Sequence, residues 1–222
     1  MMPGRGPRVK VCCISSVDEA RLAVECGADA LGLVSAMPSG PGVIFEALIG
    51  AIAATVPPPV ATFLLTCEQR VEAIVAQQQR CRTNTVQLCD RLTEGSHADL
   101  RAAMPGVAIV QVIHVTGRAS IDEALAVAAD VDAILLDSGN QTLATKELGG
   151  TGRTHDWELS AEIRQRAGVP IFLAGGLRVE NVASAVRQVE PWGLDICSGV
   201  RTDGHLDRDK LQAFIAASAS AC

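Results

Sequence analysis

The sequence predicts a single-domain α/β fold, a (β/α)8 TIM barrel. Three observations carry that prediction. Eight short apolar runs, many of them β-branched, alternate with amphipathic stretches from one end of the chain to the other. Glycine-rich turns follow the last three runs, where such barrels hold phosphate, whereas a doubly wound open sheet places its glycine loop after the first strand. The core must also be built from small aliphatic side chains. Hydrophobic residues make up 48% of the 222 positions, aromatics only 3%, and tyrosine is absent. Such a core suits parallel strands covered by helices.

Taken in order, strands are expected over residues 9–13, 30–34, 60–65, 85–88, 108–113, 133–136, 170–173 and 194–197. Helices are expected over 17–26, 46–55, 68–80, 120–128, 179–189 and 207–217, their apolar residues recurring at helical spacing as Val71, Ile74 and Val75 do. The segment after Asp90 is the weakest helical stretch, and a loop opening at Gly152 leads into a helix over 156–166. Residues 1–7, with their Pro and Gly, are expected to be a flexible leading segment, and 8–222 a single barrel domain of ordinary size.

Composition narrows the function classes. The net charge of −6 and the lack of a Lys/Arg block argue against a nucleic-acid surface. A small phosphorylated ligand remains compatible, because a local site can be positive on an acidic protein. No apolar stretch reaches the length of a membrane span, and the first residues lack the apolar segment of a secretory signal. Eight cysteines lying in apolar runs or helical stretches therefore read as free thiols in a cytoplasmic protein. No Cys-x-x-Cys pair occurs and the four histidines are scattered, so neither a metal nor another cofactor is expected. The oligomeric state is left open.

Strand alternation selects the reactive side chains. Val9, Val11 and Cys13 share one face of the first strand, and Lys10 and Cys12 share the other, which should point into the barrel. An inward lysine would favour the thiolate of Cys12; the plainer reading of Cys12 is an ordinary buried cysteine. Asp137 ends an apolar strand, where a carboxylate is costly unless paired or reacting, although a helix cap or turn would also account for it. Together the two could act as general base and general acid. Gly149, Gly150, Thr151 and Gly152, then Gly175 and Gly176, then Ser198 and Gly199 offer unobstructed backbone N–H groups after three successive strands, a phosphate cradle. Asp at 175 or 199 is expected to abolish phosphate binding without unfolding the chain. Asp195 and Ser198 could be inward rim residues, or Asp195 could simply order the last strand, which is the preferred reading.

Lys10-Val11-Cys12, Val86-Gln87-Leu88, Leu135-Leu136-Asp137-Ser138, Gly149-Gly150-Thr151-Gly152 with Asp156-Trp157, Leu173-Ala174-Gly175-Gly176-Leu177 with Glu180-Asn181-Val182, and Ser198-Gly199-Val200 occur in that order. Together they resemble the phosphoribosylanthranilate isomerase family of tryptophan biosynthesis, from Lys10 to about Phe214. The resemblance implies a metal-free Amadori rearrangement of N-(5-phosphoribosyl)anthranilate to the carboxyphenylamino deoxyribulose 5-phosphate. It implies Cys12 as general base at C2, Asp137 as general acid at the ring oxygen, and the three glycine loops on the phosphate.

Four departures accompany the matches. Cys13 stands where the family usually has Gly, and Gln87-Leu88-Cys89-Asp90 replaces Gln-Leu-His-Gly. Residues 37–43 contain no Arg, although the family's carboxylate-holding Arg lies in that loop, and Arg201 replaces Glu. Bidentate Arg geometry is hard to replace. Arg201, Arg153 or His114 could supply the missing donor, or all three could be solvated loop residues. Lys10, Gln87, His114 and Arg201 are accordingly candidate substrate contacts. The departures leave an alternative open, a related barrel acting on, or only binding, a different phosphorylated sugar or amine adduct.

Overall fold

The computed structural model describes residues 6–139 and 154–221. Most of the leading segment and the Gly149, Gly150, Thr151 and Gly152 turn, with Arg153, lie outside the described residues. The first half of the chain runs β1 (Arg8–Val11), α1 (Val17–Glu25), β2 (Ala30–Val34), α2 (Glu46–Ala53), β3 (Ala61–Thr66), α3 (Val71–Cys81), β4 (Thr85–Leu88) and α4 (His97–Ala103). The second half runs β5 (Ala108–His114), α5 (Ala119–Val127), β6 (Ala133–Asp137), α6 (Trp157–Arg166), β7 (Ile171–Leu173), α7 (Val179–Val189) and β8 (Gly193–Ile196). It ends with two short strands, β9 (Arg201–Thr202) and β10 (His205–Leu206), and α8 (Arg208–Ala219).

Strands β1 to β8 pair in parallel in chain order, and β8 pairs back to β1 to close the barrel, with Lys10 opposite Asp195. The outer faces of the strands (Val9, Val11, Leu31, Leu33 and Leu64 among them) pack with helix residues such as Ile49, Ile74, Val182 and Leu211 in one apolar layer. The inner faces supply a second, smaller cluster that includes Ala30, Phe63, Leu65, Val110, Val112, Leu135 and Phe172. Full burial of each Val, Leu, Ile or Phe contributes roughly 1.5–3 kcal/mol, so the layering accounts for much of the fold's stability. The few aromatics are concentrated at the N-terminal mouth of the barrel. There Phe63 meets Phe172 edge-on at 5.8 Å, and Phe172 meets the half-exposed Trp192 at 5.2 Å. The other tryptophan, Trp157, packs against the outer layer where α6 begins, at the opposite end of the barrel.

Caps explain where several helices start. The Ser16 hydroxyl accepts the Glu19 N–H at α1, Asp156 accepts two N–H groups at α6, and Asp207 accepts the Lys210 N–H at α8. Helix α4, the faint stretch after Asp90, is held by a reciprocal box between Ser96 and Asp99. That short-range signal outweighs its weak apolar pattern. Strands 30–34 and 85–88 and helix 179–189 have the bounds expected from the sequence, and most others differ by one or two residues.

The larger differences have local causes. The first strand stops at Val11 rather than Cys13, because Cys13 adopts φ 62° and turns the chain away. Asp137 is the last residue of β6. Cys197 is not in β8 but begins a 3-10 turn over Ser198–Val200, which leads into the β9–β10 hairpin that periodicity did not reveal. Among the described residues, no helix is long and apolar enough to cross a membrane.

Candidate active site

A pocket opens at the C-terminal end of the barrel, where the strand ends and their following loops converge. Its wall includes Cys12 just after β1, Gln87 from β4, Asp137 from β6, Gly175 and Gly176 after β7, and Ser198 after β8. Residues 125 positions apart in sequence therefore share one wall, as strand alternation requires of inward side chains in a closed barrel. Cys12 and Asp137 are both buried and both reach this pocket. The Asp137 carboxylate accepts the Ser138 N–H at 2.7 Å, which fixes its orientation. Gln87 is buried as well, and its side-chain carbonyl oxygen has no hydrogen-bond partner.

Beneath Cys12 lies an ion pair. Lys10 is fully buried, and its Nζ donates to Asp195 at 2.9 Å. It also stands 5.2 Å from the Phe63 ring. Burial alone would favour loss of the lysine proton, but the Asp195 carboxylate outweighs it and holds Lys10 above the usual lysine range. Burial pushes the Asp195 carboxyl upward, with Lys10 opposing. A Cβ at Gly32 on the neighbouring strand would approach the Cys12 sulfur to 2.9 Å and Lys10 Nζ to 3.1 Å. Both side chains therefore fill the space that Gly32 leaves open. The inward orientation expected of Lys10 and Cys12 is the one observed.

Known proteins resemble this chain over nearly its whole length. The family profile described as N-(5'phosphoribosyl)anthranilate (PRA) isomerase matches residues 9–217. The chain belongs to that family. It is thus a member of an isomerase family of tryptophan biosynthesis. The N-(5'-phosphoribosyl)anthranilate isomerase 2 of Methanosarcina mazei is 35% identical over 210 residues, covering 94% of this chain and 92% of the relative. The phosphoribosyl anthranilate isomerase of Thermotoga maritima superposes with a TM-score of 0.79 at 29% identity, covering 96% of this chain and 99% of that one. A further phosphoribosyl anthranilate isomerase was solved in complex with reduced 1-(o-carboxyphenylamino)-1-deoxyribulose 5-phosphate. It superposes with a TM-score of 0.76 at 28% identity, over 97% and 100% of the two chains.

Three of the candidate substrate contacts expected from the isomerase family resemblance do not stand on the pocket wall. Lys10 is sealed below it by its pairing with Asp195. His114 is buried at the end of β5 with Nε2 3.2 Å from the Cys89 carbonyl oxygen, so it is not a solvated loop residue either. Arg201 is occupied elsewhere. Its guanidinium donates to Glu19 at 2.9 Å and to the carbonyl oxygens of Cys13 at 2.6 Å and Gly204 at 2.9 Å, with only 11% of the side chain exposed. Instead of reaching for a ligand, it ties the turn after β1 to the β9–β10 hairpin.

Glu19 is the residue that sequence reasoning missed in this network, because its partner lies 182 positions away. Burial pushes the Glu19 carboxyl up, but bonds from Arg201 and from the Leu206 and Ser15 N–H groups hold it below the usual glutamate range. A depressed folded value means its stabilisation is complete above the unfolded carboxylate range and is lost as pH falls through the folded value. Glu19→Gln is therefore expected to flatten the loss of stability below about pH 4.5, as read from urea midpoints across acid pH.

The glycines of the two described turns, after β7 and β8, are bare for different reasons. Gly175 has φ +80°, and a Cβ there would come within 3.0 Å of Ser138 Oγ and 3.1 Å of Asp137 Oδ1. Gly175→Ala should thus cost about 1–2 kcal/mol in backbone strain and displace the carboxylate. Urea unfolding and kcat are expected to fall together. Gly199 is bare for a different reason, since a Cβ would lie 2.3 Å from the Leu177 carbonyl oxygen. Asp at 199 would force the loops after β7 and β8 apart. The expectation that it changes only the charge of the cradle is corrected on steric grounds.

Proposed function

We propose that this chain converts N-(5'-phosphoribosyl)anthranilate to 1-(o-carboxyphenylamino)-1-deoxyribulose 5-phosphate by acid–base catalysis. The observation that carries the proposal is the convergence of Cys12 and Asp137 on one pocket whose rim is formed by the glycine turns after β7 and β8. Asp137 protonates the ribose ring oxygen, which opens the ring to an iminium ion. Cys12, acting as a thiolate, removes the proton at C2, and the resulting enamine tautomerises to the ketose. No redox equivalent is consumed, because the hydrogen lost at C2 is balanced by the one gained at C1.

Phosphate is assigned to the backbone N–H groups around Gly175, Gly176, Ser198 and Gly199, with Gly149, Gly150, Thr151 and Gly152 completing the cradle. The unpartnered Gln87 oxygen is assigned to a substrate hydroxyl, whose donation would satisfy a buried acceptor. Lys10 acts from below the pocket, through Asp195, as a support for the strand end that carries Cys12. Unpaired thiols at Cys12, Cys13, Cys26, Cys81 and Cys197 support a cytoplasmic setting.

The test is turnover of freshly prepared N-(5'-phosphoribosyl)anthranilate by the purified chain, with product identified chromatographically. One observation favours a second reading. Among the described residues, the pocket wall carries no Arg, Lys or His to meet a carboxylate. Turnover of the aniline adduct, which lacks the carboxylate, with no turnover of the anthranilate adduct would select that reading. No turnover of either would overturn both.

A further inference from the structure

A second cluster of nucleophilic side chains shares the pocket with the proposed acid–base pair. Cys13 follows β1 and Cys197 follows β8, and their sulfur atoms lie 2.8 Å apart. Both line the pocket beside Cys12. The contact is built at some cost to the backbone. Cys13 adopts φ 62°, a left-handed conformation that disfavours a residue with a Cβ by roughly 1–2 kcal/mol. The facing loop also makes room for it, since a Cβ on Gly42 would lie 2.4 Å from the Cys13 Cβ. The Cys13 thiol further donates to the Pro41 carbonyl oxygen at 3.6 Å.

We infer that Cys13 and Cys197 form a modification site, a dithiol that a low-molecular-weight disulfide oxidises reversibly to a covalent bridge between the β1 and β8 ends of the pocket. Bonding needs the sulfurs to approach by less than about 1 Å, given a bond length near 2.05 Å. The Cys197 thiolate attacks one sulfur of the disulfide RSSR, forming a mixed disulfide and releasing RS⁻. Cys13 then gives up its proton, its sulfur displaces the second RS⁻, and the Cys13–Cys197 bond forms. Two protein thiols are oxidised, and one RSSR is reduced to two RSH.

The order of attack follows from the surroundings. The hydrogen bond with Cys13 pulls the Cys197 thiol below its usual range, and Cys197 is the less buried of the two. Hydrogen bonds with Cys12 and Cys197, together with burial, push Cys13 upward, so it keeps its proton until the second step. Cys12 is left as a free thiol at the end of the sequence.

The experiment uses the full chain, fully reduced and then incubated with oxidised glutathione. Remaining thiols are capped with iodoacetamide, and the protein is mapped by mass spectrometry without reduction. The expected result is the loss of two hydrogens, one peptide pair joined through Cys13 and Cys197, a capped Cys12, and recovery of both thiols in dithiothreitol. Cys197→Ser, a conservative change on the partner whose φ is not left-handed, is expected to give no bridged peptide at Cys13. Capping of both Cys13 and Cys197, a bridge that uses Cys12 or any other cysteine, or glutathione retained as a mixed disulfide without a bridge would overturn the inference.

Discussion

Asp137→Asn is expected to lower kcat by about 10²–10⁴-fold, the range removed with a general acid or base, while leaving urea stability nearly unchanged. The substitution keeps the side chain's shape and retains an oxygen to accept the Ser138 N–H, which Asp137 takes at 2.7 Å. What it removes is the exchangeable proton needed at the ribose ring oxygen. Since the loss falls on the transition state and not on ground-state binding, kcat and kcat/KM should drop together, with KM little altered. Cys12→Ser should behave similarly, because an alkoxide is far less accessible at neutral pH than a thiolate. Steady-state kinetics beside circular dichroism of both variants is the measurement. Activity within a few-fold of the parent in Asp137→Asn would remove that residue from its assigned role.

The largest effect on stability is expected from Lys10→Met, at about 3–5 kcal/mol, the cost of leaving one member of a buried ion pair alone. Asp195 would keep its carboxyl inside the barrel with its 2.9 Å partner gone, at the seam where β8 closes on β1. Adding Asp195→Leu to Lys10→Met should restore most of the loss, because apolar replacements remove both the charge and its desolvation penalty. Urea unfolding of the two single variants and the double variant gives the coupling energy directly. The lysine's raised folded value means its contribution is complete below the unfolded lysine range and is lost only as the pH climbs through the still higher folded value. The deficit of Lys10→Met should therefore narrow in strong alkali, and also in acid, where the Asp195 carboxyl that burial already pushes upward takes up a proton and no longer needs its partner. Additive effects of the two single changes would indicate that the pair is not coupled.

The parts of this molecule that could be read from its sequence are those governed by short periods. Eight strands showed as apolar runs, and period-two alternation placed Lys10 and Cys12 inside the barrel, where they lie. Asp137 stood out because a carboxylate ending the run Ala133-Ile134-Leu135-Leu136 is costly unless it is paired, reacting or capping a turn. Other features depend on which distant segments the barrel brings together, and no local pattern encodes that. Arg201 looked available for a ligand until its pairing with Glu19 and the carbonyl oxygens of the β1 turn was visible. Gly199 read as an opening for phosphate, yet its missing side chain also makes way for the Leu177 carbonyl oxygen. Helix α4 was the exception, a local signal present but faint, since Ser96 and Asp99 mark its start more clearly than its apolar residues mark its face.

The placement of the two tryptophans gives this chain a pair of optical reporters that need no labelling. With no tyrosine present, excitation in the near ultraviolet reaches essentially these two indoles. Trp192 is half exposed and meets Phe172 edge-on at the N-terminal mouth, whereas Trp157 packs at the start of α6 on the pocket side. Trp192→Phe would leave one emitter at the pocket end, and Trp157→Phe one at the far end. Ligand titrations followed by the first and denaturation followed by the second would separate events at the two ends of one barrel by emission wavelength alone.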